Sequence, residues 1–271
     1  MAELADEIVR DMPVEGVCRL TLNRPASLNA LTYTMYEGLI AHLEGLRFDT
    51  TVRVVILTGA GKGFCAGHDL RAAGSPGWVT DGMGKAQLSR AILTRLGMIP
   101  SLIRALPQPV ICAVNGVTAG AGYSIALACD LVIAAKGARF VNAFHNAGTG
   151  HELGLSYLLP RLVGTQRAAE LLLTGRPVPA EEAAAIGMIL RVTEDDALMD
   201  GALKLADAIL VNSPIGIALT KQTLWLNAAA PSLEAAMELE NRAIFISQST
   251  EDTAEKRKAF VEKRRPVFTG R

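Results

Sequence analysis

The chain has 271 residues, half of them hydrophobic, and its 27 basic residues balance 27 acidic ones. This length supports one large core, or one core with a small appended domain. A formal net charge of zero lacks the basic excess of proteins that bind nucleic acid or anionic membranes, so neither partner is expected.

The ends of the chain and its cysteines give no sign of export or of metal binding. Residues 1–16 are acidic and lack the apolar core of a signal peptide. The four cysteines show no CxxC pairing, and the four histidines have no zinc-ligand spacing. We therefore predict a cytoplasmic protein with reduced, buried thiols and no metal site.

The first half of the chain predicts alternating strands and helices. Continuous or alternating β-branched residues predict the strands, and apolar residues at helical spacing predict the helices. In chain order these are a strand over 16–22, a helix over 29–46, a strand over 52–59, a helix over 86–106 and a strand over 110–114. One face of the first helix carries Leu31, Met35, Leu39 and Leu43. A variable, glycine-rich stretch covers 73–84.

Residues 115–135, NGVTAGAGYSIALACDLVIAA, contain no charge before Asp130. The length is that of a membrane span, but glycines and polar side chains interrupt it. A glycine turn, a helix over 123–129 and a strand over 131–135 account for the pattern if the segment lies in a parallel sheet buried on both faces. No membrane span is expected.

The second half of the chain is helical in pattern. TQRAAELLLTG ends in a capping glycine, and PAEEAAAIG has proline early and glycine last. Longer amphipathic helices are predicted over 195–211, 213–228, 231–248 and 251–264. We predict a core domain over 1–200 and a helical C-terminal region over 201–271.

Two glycine-rich loops each follow a predicted buried strand: GKGFCAGHDL (61–70) and TAGAGYS (118–124). Small residues let the backbone approach a ligand, and a helix that starts near Ala121 presents free amides and the positive end of its dipole. Two such amides that converge on one oxygen form an oxyanion hole. The same turns also occur as plain connectors between elements.

Other glycine-loop chemistries fit less well. GKGFCA has the dinucleotide-binding spacing GxGxxG/A, but no regular helix follows it, so an NAD-dependent oxidoreductase is only an alternative. Lys62 precedes Gly63 rather than Ser or Thr, unlike a phosphate-binding P-loop. GYSIA (122–126) is one residue away from a nucleophile elbow, but no histidine follows His151 to serve as the base.

Five segments are informative together. They are LTLNRPASLNAL (20–31), VVILTGAGKGFCAGHDL (54–70), QPVICAVNGVTAGAGYSIALACDLVIAA (108–135), LLLTGRPVPAEEAAAIGMI (171–189) and FVEKRRPVF (260–268). In this order they resemble the crotonase, or enoyl-CoA hydratase/isomerase, superfamily over nearly the whole chain. The resemblance implies an α/β fold, a spiral of ββα units with a helical C-terminal region that forms homotrimers or dimers of trimers.

The resemblance also implies an acyl-CoA substrate whose thioester oxygen lies between two backbone amides, with no cofactor besides the CoA of the substrate. The matching amides belong to His68, where most relatives carry a small residue, and Ala121, where most carry glycine. The function expected of His68 is that of its amide and not of its imidazole. Residues matching CoA contacts are Arg24, Ala66, His68, Asp69, Leu70, Arg71, Ala121, Phe144, Phe260 and Lys263. The basic ones also suit an ordinary solvated surface.

Hydratases of this superfamily use two glutamates, and the matching positions here hold Ser124 and Phe144. A carboxylate occurs eight residues beyond the second of these, at Glu152, a position that resembles the acid/base site of members that shift double bonds. Apolar neighbours of Glu152 are expected to raise its pKa towards neutrality.

One base that removes a proton at one carbon and returns it at another suffices to move a double bond. We therefore predict an isomerase-type reaction with Glu152 as sole acid/base and with the amides of His68 and Ala121 stabilising the enolate. Alternatives are hydration by Glu152 with His151, and acyl-CoA binding without catalysis. Glu152 could also be a plain acidic residue near a helix N-terminus.

Overall fold

The structure, a computed structural model, describes residues 7–71, 76–79 and 82–271. A six-stranded sheet has the strand order β1-β2-β3-β5-β7-β10, and a four-stranded sheet has the order β4-β6-β8-β9. The strands of the large sheet are β1 Ile8–Val14, β2 Val17–Leu22, β3 Val54–Gly59, β5 Val110–Val114, β7 Leu131–Ala135 and β10 Arg191–Thr193. Those of the small sheet are β4 Gly63–Cys65, β6 Val117–Ala119, β8 Arg139–Val141 and β9 Val178–Pro179.

Helices alternate with these strands along the chain. They are α1 Tyr33–Leu46, α2 Lys85–Leu96, α3 Met98–Ala105, α4 Ala121–Ala128, α5 Leu155–Val163, α6 Thr165–Thr174, α7 Ala180–Ala185, α8 Leu198–Leu210, α9 Pro214–Asn227, α10 Leu233–Gln248 and α11 Glu251–Val261. Three times, a strand of the large sheet leads directly into a strand of the small sheet: β3 into β4, β5 into β6, and β7 into β8. This confirms the predicted α/β spiral of ββα units.

The central strands β3, β5 and β7 of the large sheet are buried on both faces, which explains their uninterrupted apolar sequences. Successive residues of β3 alternate between two hydrophobic clusters, so Val55 belongs to one and Ile56 to the other. Helix α1 covers the first cluster with the predicted apolar face, whose residues are at most 2% exposed. Helix α8 covers the second cluster through Ala202 and Ala206. The predicted domain boundary at 200/201 therefore falls inside a helix that packs on the core sheet.

Several helix boundaries differ from the prediction, and for the first two below the reason is local. The helix predicted over 86–106 is two helices that meet at Gly97, because Pro100 cannot donate the backbone bond that a continuous helix requires. Helix α1 begins at Tyr33 rather than 29, since Thr32 accepts a hydrogen bond from the Met35 amide and caps it. Helix α4 begins at Ala121, two residues earlier than predicted.

Two predictions fall partly on residues outside the described ranges. The glycine-rich stretch over 73–84 includes residues 73–75 and 80–81, and the acidic N-terminus includes residues 1–6. Among the described residues, no single helix has the length and hydropathy of a membrane span. Helices over 195–210 and 214–227, bent by 107°, satisfy that test only as a pair.

A buried ion pair attaches α9 to the core. The Lys221 ammonium lies 2.7 Å from a carboxylate oxygen of Asp130 and donates to the carbonyl oxygens of Ile103 and Gln108. Asp130 also accepts a hydrogen bond from the indole of Trp225, one helical turn beyond Lys221. Both charged side chains are less than a tenth exposed. Helix α9 is therefore held to the core by an ion pair that is almost completely buried.

Lys221→Met should lower the free energy of unfolding by about 3–5 kcal/mol, because it leaves the Asp130 carboxylate buried without its cation. Urea unfolding followed by circular dichroism measures this change. Lys204→Met, which removes an exposed lysine from α8, is the matched control. A loss no larger than that of the control would show that the pair does not hold the helix.

Candidate active site

The register of the small sheet brings the two predicted amides together. Strand β4 pairs with β6 in parallel, and Cys65 lies opposite Thr118. His68 and Ala121 each follow these partners by three residues, so the two loops leave the same edge of the sheet side by side. The ideal Cβ position of Gly67 lies only 3.4 Å from the Ala121 nitrogen. The structure thus places the two loops in direct contact.

The amide of His68 faces away from the neighbouring chain segment at Leu31. Leu31 donates its amide to the carbonyl of Gly67 at 2.7 Å, and its carbonyl accepts from the amide of Asp69 at 3.0 Å. His68 forms a parallel bridge with Leu31. In such a bridge the residues on either side of His68 bond to Leu31, and His68 itself directs its amide to the opposite side. This amide has no acceptor among the described residues.

The amide of Ala121 is the first of helix α4, whose opening turn has no intrahelical acceptors. Gly120 precedes it with φ +51 and ψ −120, a conformation that favours glycine. Ala121 is 1% exposed, so its amide lies where water competes little. The positive end of the helix dipole adds to its attraction for a developing negative charge.

Glu152 lies on the loop that leads into α5, and burial raises the pKa of its carboxyl above the ordinary value. Phe144 and Leu153 are buried beside this loop, as expected for an apolar surrounding. The loop is strained, because Leu153 has φ +55, a region that disfavours residues other than glycine. No described backbone amide donates to the Glu152 carboxylate. Glu152 nevertheless lies three residues before α5, so its interpretation as an acidic residue near a helix N-terminus stays an alternative prediction.

Ser124, which occupies the place of the first hydratase glutamate, has a role that the sequence did not reveal. Its hydroxyl donates to the backbone carbonyl of Glu152 at 3.0 Å. Ser124 is fully buried on α4, one turn after Ala121. One short helix therefore supplies an amide donor and fixes the loop that carries the acid. Only the contact itself reveals this role, since the two residues are 28 positions apart.

His151 is directed towards other partners than Glu152. Its Nε2 lies 3.1 Å from the side-chain nitrogen of Asn142, and its ring lies near the rings of Phe144 and His145. Burial lowers the pKa of His151, and the proximity of His145 lowers it further. The imidazole is therefore neutral at pH 7, and no described hydrogen bond joins it to Glu152.

The residues predicted to contact CoA divide into two groups. Arg24 and Asp69 are brought together in an ion pair of 2.9 Å, and Arg24 also lies 3.2 Å from Glu7. The guanidinium charge is thus already balanced by carboxylates. Leu70 and Arg71 are exposed beside the His68 loop, and Ala66 is half-buried there.

The second group consists of Phe260 and Lys263, which lie at and just beyond the C-terminal end of α11. Phe260 is 82% exposed. Both residues line a cleft of about 510 Å³ with Val211 and Lys256, and none of the residues around Ala121 or Glu152 borders it. The prediction that Phe260 and Lys263 contact CoA stays a prediction.

The comparisons agree with this fold. The family model of enoyl-CoA hydratase/isomerase matches residues 13–271. A probable enoyl-CoA hydratase of Mycobacterium tuberculosis is 40% identical over 97% of this chain and 92% of that protein. The 1,2-epoxyphenylacetyl-CoA isomerase of Escherichia coli is 40% identical over 95% of this chain and 96% of that protein. The crystal structure of a probable enoyl-CoA hydratase/isomerase from Mycobacterium abscessus has a TM-score of 0.91 at 36% identity and covers 98% of this chain and 99% of that one.

The chain belongs to the enoyl-CoA hydratase/isomerase family and has the crotonase fold. It is an enzyme of the lyase or isomerase type that acts on acyl-CoA. The resemblance noted in the sequence is confirmed.

Gly67→Ala should reduce kcat/KM at least about a hundredfold, the usual effect of losing one oxyanion donor. Gly67 has φ +92, and an added Cβ would lie 2.9 Å from the Ala119 carbonyl oxygen, so the His68 loop must move away from Ala121. Gly164→Ala is the control, because it has φ +78 but open space around the added Cβ. Equal effects of the two variants on activity would contradict the assigned contact.

Ser124→Ala should lower kcat roughly tenfold while KM changes little, because the variant releases Glu152 and leaves both amides in place. Steady-state kinetics on an acyl-CoA substrate measures the split. Ser249→Ala, which removes a similar hydroxyl–carbonyl bond of 2.8 Å near the C-terminus, is the control. An unchanged kcat would show that the Ser124 bond does not position the acid.

Proposed function

We propose that the protein isomerises the double bond of a 3-enoyl-CoA to the conjugated 2-enoyl-CoA. The amides of His68 and Ala121 bind the thioester oxygen. Glu152 removes a proton from C2, which produces a dienolate, and returns the proton to C4. The observation that carries this proposal is a half-buried carboxylate of raised pKa whose loop is bonded to α4, the helix that begins with the Ala121 amide.

The electrostatics suit an enolate intermediate. Negative charge moves from Glu152 onto the thioester oxygen when the proton is transferred, and two amides and the end of helix α4 meet it there. Burial raises the pKa of Glu152 towards that of the substrate C–H group. The free energies of proton removal and proton return therefore differ less. Because the same carboxyl accepts and donates the proton, no second acid is required.

Hydration is less well supported. It requires groups that activate a water molecule, and the two positions that serve this in hydratases hold Ser124 and Phe144. Ser124 already donates to the Glu152 carbonyl, and Phe144 is 6% exposed and apolar. His151, the other candidate partner, lies against Asn142. The names of the two relatives at 40% identity include both reaction types, an isomerase of an epoxyacyl-CoA in Escherichia coli and a probable hydratase in Mycobacterium tuberculosis.

The proposal is tested with trans-3-hexenoyl-CoA and trans-2-hexenoyl-CoA, followed by the absorbance of the conjugated thioester. We expect the absorbance to rise with the 3-enoyl substrate and to stay nearly constant with the 2-enoyl substrate. A steady fall with the 2-enoyl substrate would instead show hydration. Binding of both without any change would show a binding protein that has lost catalysis.

Glu152→Gln should bind acyl-CoA normally and lose roughly 10²- to 10⁴-fold in kcat, the usual contribution of a general acid/base. Calorimetric titration and the same absorbance assay measure the two quantities. Glu238→Gln, at a side chain that is 61% exposed, is the control. Turnover by Glu152→Gln at the level of this control would remove Glu152 from the mechanism.

The pH dependence of kcat/KM should show an acidic limb with its midpoint above about 4.3, the ordinary value of glutamate. Glu152 acts as a base only when ionised, and a raised pKa means that a higher pH is needed to ionise it. Activity therefore increases as the pH rises through this pKa. A midpoint at or below the ordinary value would contradict the assignment.

Three further features are part of the same proposal: a homotrimer or dimer of trimers, a cytoplasmic location, and no cofactor besides the CoA of the substrate. Large apolar side chains are exposed on the C-terminal helices, among them Leu224, Leu233 and Phe245, which is 77% exposed. Such exposure suits burial between subunits. The four cysteines are free and buried, as expected in a reducing compartment.

A further inference from the structure

Two buried polar atoms beside the candidate active site have no hydrogen-bond partner among the described residues. They are the hydroxyl of Tyr36 and the Nδ1 atom of His68. The side chain of Tyr36 is completely buried on α1. An unpaired buried hydroxyl disfavours folding, because its hydrogen bonds to water are lost and not replaced. A bound molecule that supplies the missing partner gives a physical reason to keep it.

Both side chains adjoin the loop that carries one of the two proposed thioester-binding amides. The ring centroids of Tyr36 and His68 are 5.9 Å apart, and His68 is the residue whose amide is assigned to the thioester oxygen. Burial raises the pKa of Tyr36 well above its ordinary value, with smaller effects from Cys65 and Glu152. The phenol of Tyr36 is therefore next to the residue whose amide is proposed to bind the thioester oxygen.

The chemistry of the two groups suits a neutral oxygen atom. Burial lowers the pKa of His68, so its imidazole is neutral at pH 7 and offers one donor and one acceptor. The phenol of Tyr36 likewise donates and accepts. A carboxylate at this place would be repelled by ionised Glu152. The other ring beside His68 is that of the uncharged Tyr33, whose centroid lies 5.3 Å from the His68 centroid.

We propose that the acyl group of the natural substrate carries a neutral oxygen, such as a carbonyl, ether or hydroxyl oxygen, that hydrogen-bonds to Tyr36 and His68. The inference rests on the proposed acyl-CoA site at His68, Ala121 and Glu152. It makes Tyr36 a specificity-determining residue. A site built to hydrogen-bond such an oxygen discriminates strongly against an analogue that lacks it, since the buried polar groups then stay unpaired.

Equilibrium binding tests the inference without requiring turnover. Hexanoyl-CoA, 4-oxohexanoyl-CoA and 5-oxohexanoyl-CoA are titrated calorimetrically into the wild-type protein and into Tyr36→Phe. We expect at least one oxo compound to bind the wild-type protein about tenfold more tightly than hexanoyl-CoA, the upper end for a neutral hydrogen bond. Tyr36→Phe should lose this preference and still bind hexanoyl-CoA. Its thermal stability should be unchanged or higher, because the variant removes an unpaired buried hydroxyl.

Tyr123→Phe is the matched control, because Tyr123 is an equally buried tyrosine whose hydroxyl contacts the sulfur of Met188 and no residue of the site. It should keep the preference for the oxo compound. Equal affinity of the wild-type protein for all three compounds, or an unchanged preference in Tyr36→Phe, would overturn the inference. Neither result bears on the conversion of 3-hexenoyl-CoA, so a failure of the inference is distinguishable from a failure of the proposed isomerisation.

Discussion

The parallel pairing of β4 with β6 is the constraint on which the site depends. Neither strand is longer than three residues, and their residues Cys65 and Thr118 lie opposite each other. His68 and Ala121 each follow this pair by three residues and therefore lie side by side. Strand β8 pairs with the other side of β6, where Thr118 lies opposite Phe140. A shift of one residue in either strand would separate the amides and turn a different peptide group towards the ligand. The chemistry is thus a consequence of sheet register.

Glycine enforces this register by allowing close backbone contact. An added Cβ at Gly122 would lie 2.5 Å from the carbonyl oxygen of Cys65, and one at Gly116 would lie 2.1 Å from that of Lys62. Side chains at these positions would force β4 and β6 apart. The glycine-rich composition of the two loops is therefore a packing requirement as well as a means of exposing amides. The interpretation of these turns as connectors is thereby explained, and the ligand-binding interpretation stays a prediction that the same packing permits.

Helix α4 joins one of the two proposed oxyanion donors to the loop that carries the proposed acid. Its first residue, Ala121, supplies an amide, and Ser124, one turn later, holds the Glu152 carbonyl. The strained backbone at Leu153 and the buried surroundings of Glu152 both oppose folding to a small extent. As a result, the Glu152 carboxyl ionises less readily than one in water and lies in a fixed position. Proton transfer between carbons requires both properties.

The sequence predicted the features that depend on pattern and failed where contacts decide. The apolar face of α1 and the continuous strands were predictable from periodicity. The loops that carry His68 and Ala121 were recognisable from their glycines, and the resemblance to the superfamily implied the role of their amides. The small sheet was not predicted as a separate layer, because strands of two or three residues carry too little periodicity. Likewise the bond from Ser124 to Glu152 and the balancing of Arg24 by Glu7 and Asp69 join distant parts of the chain that no local pattern connects.

The most direct test is a crystal structure of the protein with acetoacetyl-CoA. The account predicts that the thioester oxygen lies about 2.7–3.1 Å from both the His68 and the Ala121 amide nitrogens. The acyl carbons next to the thioester should face the Glu152 carboxyl. A thioester oxygen bound elsewhere, or held by only one of these amides with the other directed to solvent, would contradict it.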